Sequence, residues 1–211
     1  MPKKNTRNFI GYGAKGRKIS WPNNSRLALQ IVLNYEEGGE NCVLNGDKHS
    51  ETFLSEIIGA KAIKGRHISM ESIYEFGSRA GFWRLDKLFK EKKIPVTIFG
   101  VGLALKQNPE VCEAIKKGNY EIAAHGYRWI DYQNIKKSVE KKHMKQAINI
   151  IKEIFGSRPL GWYTGRCSPN TRDLVFEDGG FLYDSDSYSD DLPYWEKRDK
   201  KKTTHYSLHF R

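Results

Sequence analysis

The sequence has no run of about 18 apolar residues, so a membrane-spanning helix is not expected. Its opening stretch, MPKKNTRNFIGYG, is polar and basic and lacks the apolar segment of a secretory signal. It reads as a polar leader on a cytoplasmic protein. Cysteine is scarce: Cys42, Cys112 and Cys167 are odd in number, far apart and never in a C-x-x-C pair. Free thiols in a reducing compartment fit this best, rather than a disulfide framework. Nothing near Cys167 in sequence marks an activating partner. No internal repeat is present. The acidic stretch DSDSYSDD is no EF-hand, because Ser189 stands at the glycine position and Trp195 at that of the bidentate glutamate.

What the chain does have is length for one sizeable core, with 211 residues of which 38% are hydrophobic, and a net charge of +11. Such a charge suits nucleic acid. The lysines, however, are scattered over helix-like stretches such as KLFKEKK, AIKKG and NIKKSVEKKHMKQ, and no recognised nucleic-acid motif accompanies them. A solvated surface is the simpler reading, and no nucleic-acid partner is expected.

Hydrophobic patterning alternates between strand and helix. RLALQIVLNYEEGG opens with a nearly continuous apolar run from Leu27 to Leu33, the mark of a strand buried on both faces. RAGFWRLDKLFKEKK places Trp83, Leu85, Leu88 and Phe89 at helical spacing. IPVTIFGVG is a second strand. NPEVCEAIKKG is a helix with Asn108 as cap, Pro109 in the first position and Gly118 at the end. NYEIAAHG is a third strand. A long amphipathic helix between Asn134 and Phe155 carries Ile135, Val139, Ile148, Ile151 and Ile154 and stops at Gly156. RPLGWYTG, then a helix in SPNTRDLVFEDGG, then FLYDSDSY complete the series. The pattern predicts a parallel α/β fold. One long polar insertion, from Glu40 to Ser78, interrupts it; segments of this kind carry active-site loops or are plain surface.

Polar residues follow the strand ends. Glu36 and Glu37 follow the first; His125, Arg128 and Trp129 the third; Tyr163 and Arg166 the fourth; Asp184, Asp186, Asp190 and Asp191 the fifth. In parallel α/β folds, sites form at the carboxyl ends of strands. Four such clusters at one mouth point to an enzyme.

The blocks LNYEEGGE, ESIYEFGSRAGFWRLDKLF, PVTIFGVGLAL, EIAAHGYRWIDY, GWYTGRCSPNTR and GGFLYDSDSYSDDLPYW resemble the cofactor-independent allantoinase branch of the polysaccharide deacetylase superfamily. The resemblance runs from about Asn8 to Trp195 and implies a distorted (β/α) barrel of the NodB-homology type. It implies one domain over residues 1–195 and a divergent lysine-rich tail over 196–211. The superfamily's metal-dependent members carry two aspartates after the first strand, an H-x-x-x-H motif and an arginine that tunes the base. By resemblance Glu36 falls on the base position and Glu37 on a ligand position. His125 matches the first histidine, Trp129 stands at the second, and Arg166 matches the arginine. Zinc catalysis needs three protein ligands and an open position, and an indole offers only an N–H donor. Glu37 and His125 make two; a third from His67 or Asp186 is left open. The expectation is hydrolysis without a metal or other cofactor.

The activity implied is opening of the hydantoin ring of allantoin, or of a related cyclic amide. A carboxylate must then remove the proton from water, and Glu36 or Glu37 is expected to do so with His125 as acid–base partner. Because neighbours on a strand point to opposite faces, one of the two glutamates is expected to face the pocket. Arg166 would anchor the oxyanion or the ureide. Trp129 would wall the flat ring, with Tyr35 and Tyr163 beside it and Glu71 and Arg79 reaching in from the insertion. The resemblance stops after DDLPYW, where the family continues with strands that complete the barrel. An incomplete barrel with an open sheet edge is therefore expected, its edge covered by self-association or the chain an inactive remnant. Metal-dependent deacetylation of N-acetyl sugars is the alternative activity.

Overall fold

The computed structural model describes residues 7–196 and the backbone of 205–207. Strand β1 (Ile31–Tyr35) is followed by the insertion, largely irregular and ending in α1 (Ile68–Phe76). A π-helical turn over Gly77–Gly81 joins α1 to α2 (Phe82–Lys92). Then come β2 (Val96–Gly100), α3 (Gly102–Gln107), α4 (Pro109–Lys117), β3 (Glu121–Ala124) and α5 (Lys137–Phe155). The chain closes through β4 (Gly161–Trp162), α6 (Thr171–Asp178), β5 (Tyr183–Asp184), β6 (Tyr194–Glu196) and β7 (His205–Ser207). The sheet order is β1-β2-β3-β4-β5-β7-β6, with β6 antiparallel and the rest parallel. Among the described residues the sheet does not close. The strand β7 lies inside the stretch read as a tail; the remainder of 197–211 lies outside the described residues.

Two faces of this sheet have different company. Tyr35, Ile98, Ala124 and Trp162 look toward the helices and join the main core with Leu105, Ile115, Ile151 and Leu174. Val32, Phe99, Ala123, Tyr163 and Tyr183 look the other way, into the concave side. Local chemistry explains several elements. Asn108 caps α4 by accepting from Val111 N at 3.2 Å, and Pro109 needs no donor there. At Gly102, where α3 begins, a side chain would run into the backbone of α5 at Ala147. Gly161 leaves room for the Tyr183 ring to cross β4 and donate to Glu121 Oε1 at 2.8 Å.

Three sequence expectations are corrected. The strand β1 is not buried on both faces. It pairs only with β2 among the described residues, and Leu27 and Leu29 precede it at 75% and 79% exposure. The fully buried strand is β2, which has neighbours on both sides. On α2 the stripe facing the core is Phe82, Asp86 and Phe89, while Trp83, Leu85 and Leu88 stay open to solvent. Asp86 can be buried because it pairs with Lys90 at 2.7 Å and accepts from the Tyr120 hydroxyl at 3.0 Å. On α5 the buried face is Glu140, Met144, Ala147, Ile148 and Ile151, with Val139 exposed. No helix among the described residues is long and apolar enough to cross a membrane.

Candidate active site

Parallel pairing sets the site. Its hydrogen bonds run past the strand ends: His125 N donates to Gly100 O, Tyr163 N to Ala124 O and Ser185 N to Trp162 O, each at 2.9 Å. Tyr35, Ala124, Trp162 and Asp184 face the helices, so the next residue on each strand, Glu36, His125, Tyr163 and Ser185, faces the concave side.

There Glu36 Oε1 meets His125 Nε2 at 2.9 Å. The histidine is 2% exposed. Its Nδ1 lies 3.0 Å from the Tyr163 carbonyl, which can only accept, so Nδ1 carries the hydrogen. Tyr163 also stacks its ring on the imidazole at 4.8 Å and 27°. Asn34 Nδ2 donates to the same Glu36 Oε1 at 3.2 Å. Glu36 Oε2 has no hydrogen-bond partner among the described residues.

A second group, aromatic and cationic, forms between the insertion and the loops that follow β3 and β4. The Arg166 guanidinium lies 3.6 Å from the centre of the Trp129 ring and 5.0 Å from that of Phe53. Its Nη1 donates to Glu51 Oε2 at 3.1 Å. Glu51, with Asn41 and the amides of Thr52 and Phe53 also donating to it, holds its carboxyl below the usual range despite burial. Trp129 is fixed by its own amide, which donates to Gly39 O at 2.8 Å. Arg128 ties the insertion down from beneath, donating to the carbonyls of Gly39 and Glu40 and pairing with Asp47 at 2.5 Å.

The structure thus brings Glu36, His125 and Tyr163 together, with Trp129 and Arg166 forming a second group. It does not bring Tyr35, Glu37, Glu71 or Arg79 to them. Tyr35 is buried behind β1 against Phe82, its hydroxyl accepting from Asn108 at 3.0 Å, because it is the strand residue that faces the helices. Glu37 turns the opposite way from Glu36. Its Oε2 accepts from Glu36 N at 2.9 Å, and its carboxylate lies against Gly77, where any side chain would displace it. Glu71 pairs with Arg66 at 2.5 Å and lines, with Glu37, a separate polar cavity of about 440 Å³; Arg79 pairs with exposed Glu75. Asp184 pairs with Arg172 toward α6. Asp186 accepts from Thr164 N and Gly165 N at 2.8 and 2.9 Å and so braces the loop that carries Arg166. Asn34, Glu51, Phe53 and Tyr74 belong to the site and were not singled out by sequence. Asn34 alone had a usable signal, standing two residues before Glu36 on the same strand face.

Burial, with some backbone relief and the charges of Glu36 and Glu40 nearby, pushes the Glu37 carboxyl from 4.5 up to about 7. Unfolded, it ionises earlier, so its contribution to stability is whole below pH 4.5 and lost as the pH rises through 7. Glu37→Gln keeps an acceptor for Glu36 N. It is expected to remove that decline, stabilising the protein above pH 7 by about 1–2 kcal/mol and changing little in acid. Denaturant unfolding on either side of the window measures this.

The model of one family, polysaccharide deacetylase, matches residues 66–204. The chain belongs to that family. A putative polysaccharide deacetylase of Schizosaccharomyces pombe is 42% identical over 201 residues, covering 90% of this chain and 62% of that protein. The chain therefore spans less than two thirds of that relative. The crystal structure of PuuE allantoinase matches with a TM-score of 0.94 and 52% identity, over 99% of this chain and 70% of that one. A probable polysaccharide deacetylase from Pseudomonas aeruginosa PAO1 matches with a TM-score of 0.93 and 54% identity, over 98% and 69%. The fold is accordingly the NodB-type α/β architecture, its sheet open among the described residues.

Metal-dependent chemistry in this family would need a donor set. Glu36 and His125 are turned to one another, Glu37 faces away, and Trp129 has no lone pair to offer. No group of three His, Cys, Asp or Glu side chains that could hold a metal ion forms among the described residues. The described residues do not fit a catalytic zinc.

Proposed function

We propose that the chain hydrolyses a carbon–nitrogen bond by opening a cyclic amide of the hydantoin type, with allantoin the first substrate to test and without a metal. The observation that carries this reading is the Glu36–His125 contact, with the other imidazole nitrogen committed to the Tyr163 carbonyl. Since Nδ1 holds its own hydrogen, a single proton is shared between Nε2 and Oε1. The pair therefore acts as one unit. Glu36 Oε2 takes a proton from water as the oxygen attacks the amide carbon, and His125 stabilises the charge through Nε2. When the tetrahedral adduct collapses, the carbon–nitrogen bond breaks and the pair returns the proton to the departing ring nitrogen. Arg166 has donors left over after Glu51 and faces the developing oxyanion. Trp129 and Phe53 suit a flat ring. The substrate is a small molecule, and no nucleic acid or membrane enters the reaction; the open sheet edge is a place for self-association.

The similarity to PuuE allantoinase supports this substrate class, and the name of the Schizosaccharomyces pombe relative keeps deacetylation as the competing reading. A paired assay separates them: allantoin and hydantoin against an N-acetyl chitooligosaccharide, each with and without chelator. Ring opening that ignores chelator is expected. Chelator-sensitive release of acetate with no ring opening would overturn the proposal.

A further inference from the structure

Tyr74 lies on α1, in the insertion, one helical turn after Met70, and these two are the residues that the helix buries. Its ring leans on Trp129, with centroids 6.1 Å apart. The residue is 6% exposed, and its hydroxyl oxygen is buried with no hydrogen-bond partner among the described residues. Burying a hydroxyl unpaired is unfavourable, and a phenylalanine would fill the same space without that cost. The charges of Glu51, Glu40, Glu36 and Arg166 all act on the phenol. Tyr74 thus lines the polar cavity, with Glu37 and Glu40, and touches Trp129 of the Arg166–Trp129 group through its ring. Burial first, then the three carboxylates, push its ionisation far above the usual range, so it stays an O–H donor. Donor capacity ringed by carboxylates suits a neutral acceptor rather than an anion.

We propose that the Tyr74 hydroxyl is a substrate-binding donor, taking the carbonyl oxygen of the cyclic ureide that is not attacked. This rests on the hydrolase reading above. A hydantoin ring has two carbonyl groups; one lies over Glu36, and the second needs a donor on the far side of the ring. A single neutral donor on that carbonyl would orient the flat ring between Trp129 and the water held by Glu36.

The test compares the wild-type chain with Tyr74→Phe, using hydantoin as probe. Binding is measured by calorimetry, and stability by thermal unfolding without ligand. Wild type is expected to bind hydantoin and Tyr74→Phe to bind it about three- to tenfold more weakly. The ligand-free melting temperature of the variant should be equal or higher, since no protein partner is lost. Equal hydantoin affinity in the two chains overturns this inference and leaves the hydrolase reading standing. A lowered ligand-free melting temperature overturns it too, by showing that the hydroxyl is bonded within the protein. No hydantoin binding by wild type overturns the cyclic-amide reading and this inference with it.

Discussion

Glu36→Gln is expected to lower kcat/KM for ring opening by about 10²–10⁴, the range typical of a lost general base. The substitution keeps the shape of the site. A glutamine amide nitrogen in the Oε1 position can donate to His125 Nε2, so Nδ1 stays on the Tyr163 carbonyl, and Asn34, which meets the same position, must turn its own amide to accept there. What disappears is the ability of Oε2 to take a proton from water. The unfolding midpoint should move little, because the group lies at a strand end and not in the core. Glu37→Gln is the control. Its carboxylate lies against Gly77 on the other side of the chain, and ring opening should stay near the wild-type rate. Steady-state assays of both variants decide the matter. Near wild-type activity in Glu36→Gln, or a large loss in Glu37→Gln, would reverse the assignment of the base.

That contrast shows where the sequence was readable. The rule that strand neighbours face opposite sides predicted that one of Glu36 and Glu37 would face the pocket, and it did not say which. Pairing with β2 and β3 decides it, by putting Tyr35 and Ala124 on the helix face and so Glu36 and His125 on the other. The same rule, applied one residue earlier, would have removed Tyr35 from the candidates. The order of strands and helices was legible because its signals are local: apolar runs for β2 and β3, Asn108 and Pro109 before α4, Gly156 after α5. Burial was less so. The letters Leu27 to Leu33 look like a central strand, yet how many partners a strand has is a property of the sheet. Glu51, Phe53 and Tyr74 could not be found, since the insertion has no period to place a side chain. Arg166 was recognised, but nothing in the sequence marks what it pairs with. Its partner is Glu51, 115 positions away.

Arg166→Met should show the second large effect, in both stability and rate. Glu51 is held by four donors, and its side chain is 9% exposed. Removing the arginine leaves a buried carboxylate with three neutral donors and takes the cation from the face of Trp129. Breaking one side of a buried pair typically costs about 3–5 kcal/mol; the donors that remain place this site at the low end, about 3 kcal/mol. The pH dependence follows from Glu51. Its folded carboxyl ionises below the unfolded one, so it contributes stability at neutral pH and loses it as the pH falls through the folded value. Without Arg166 that contribution shrinks, and the gap between variant and wild type should narrow in acid. A cycle with Glu51→Gln isolates the pair. The double variant should be more stable than Arg166→Met alone, because the uncompensated charge is gone. Its activity should nevertheless remain as low as that of the single variant, about 10²–10³ below wild type, if Arg166 serves the oxyanion. Recovery of activity along with stability would mean instead that the arginine only holds the insertion against Trp129, and that the oxyanion is stabilised elsewhere.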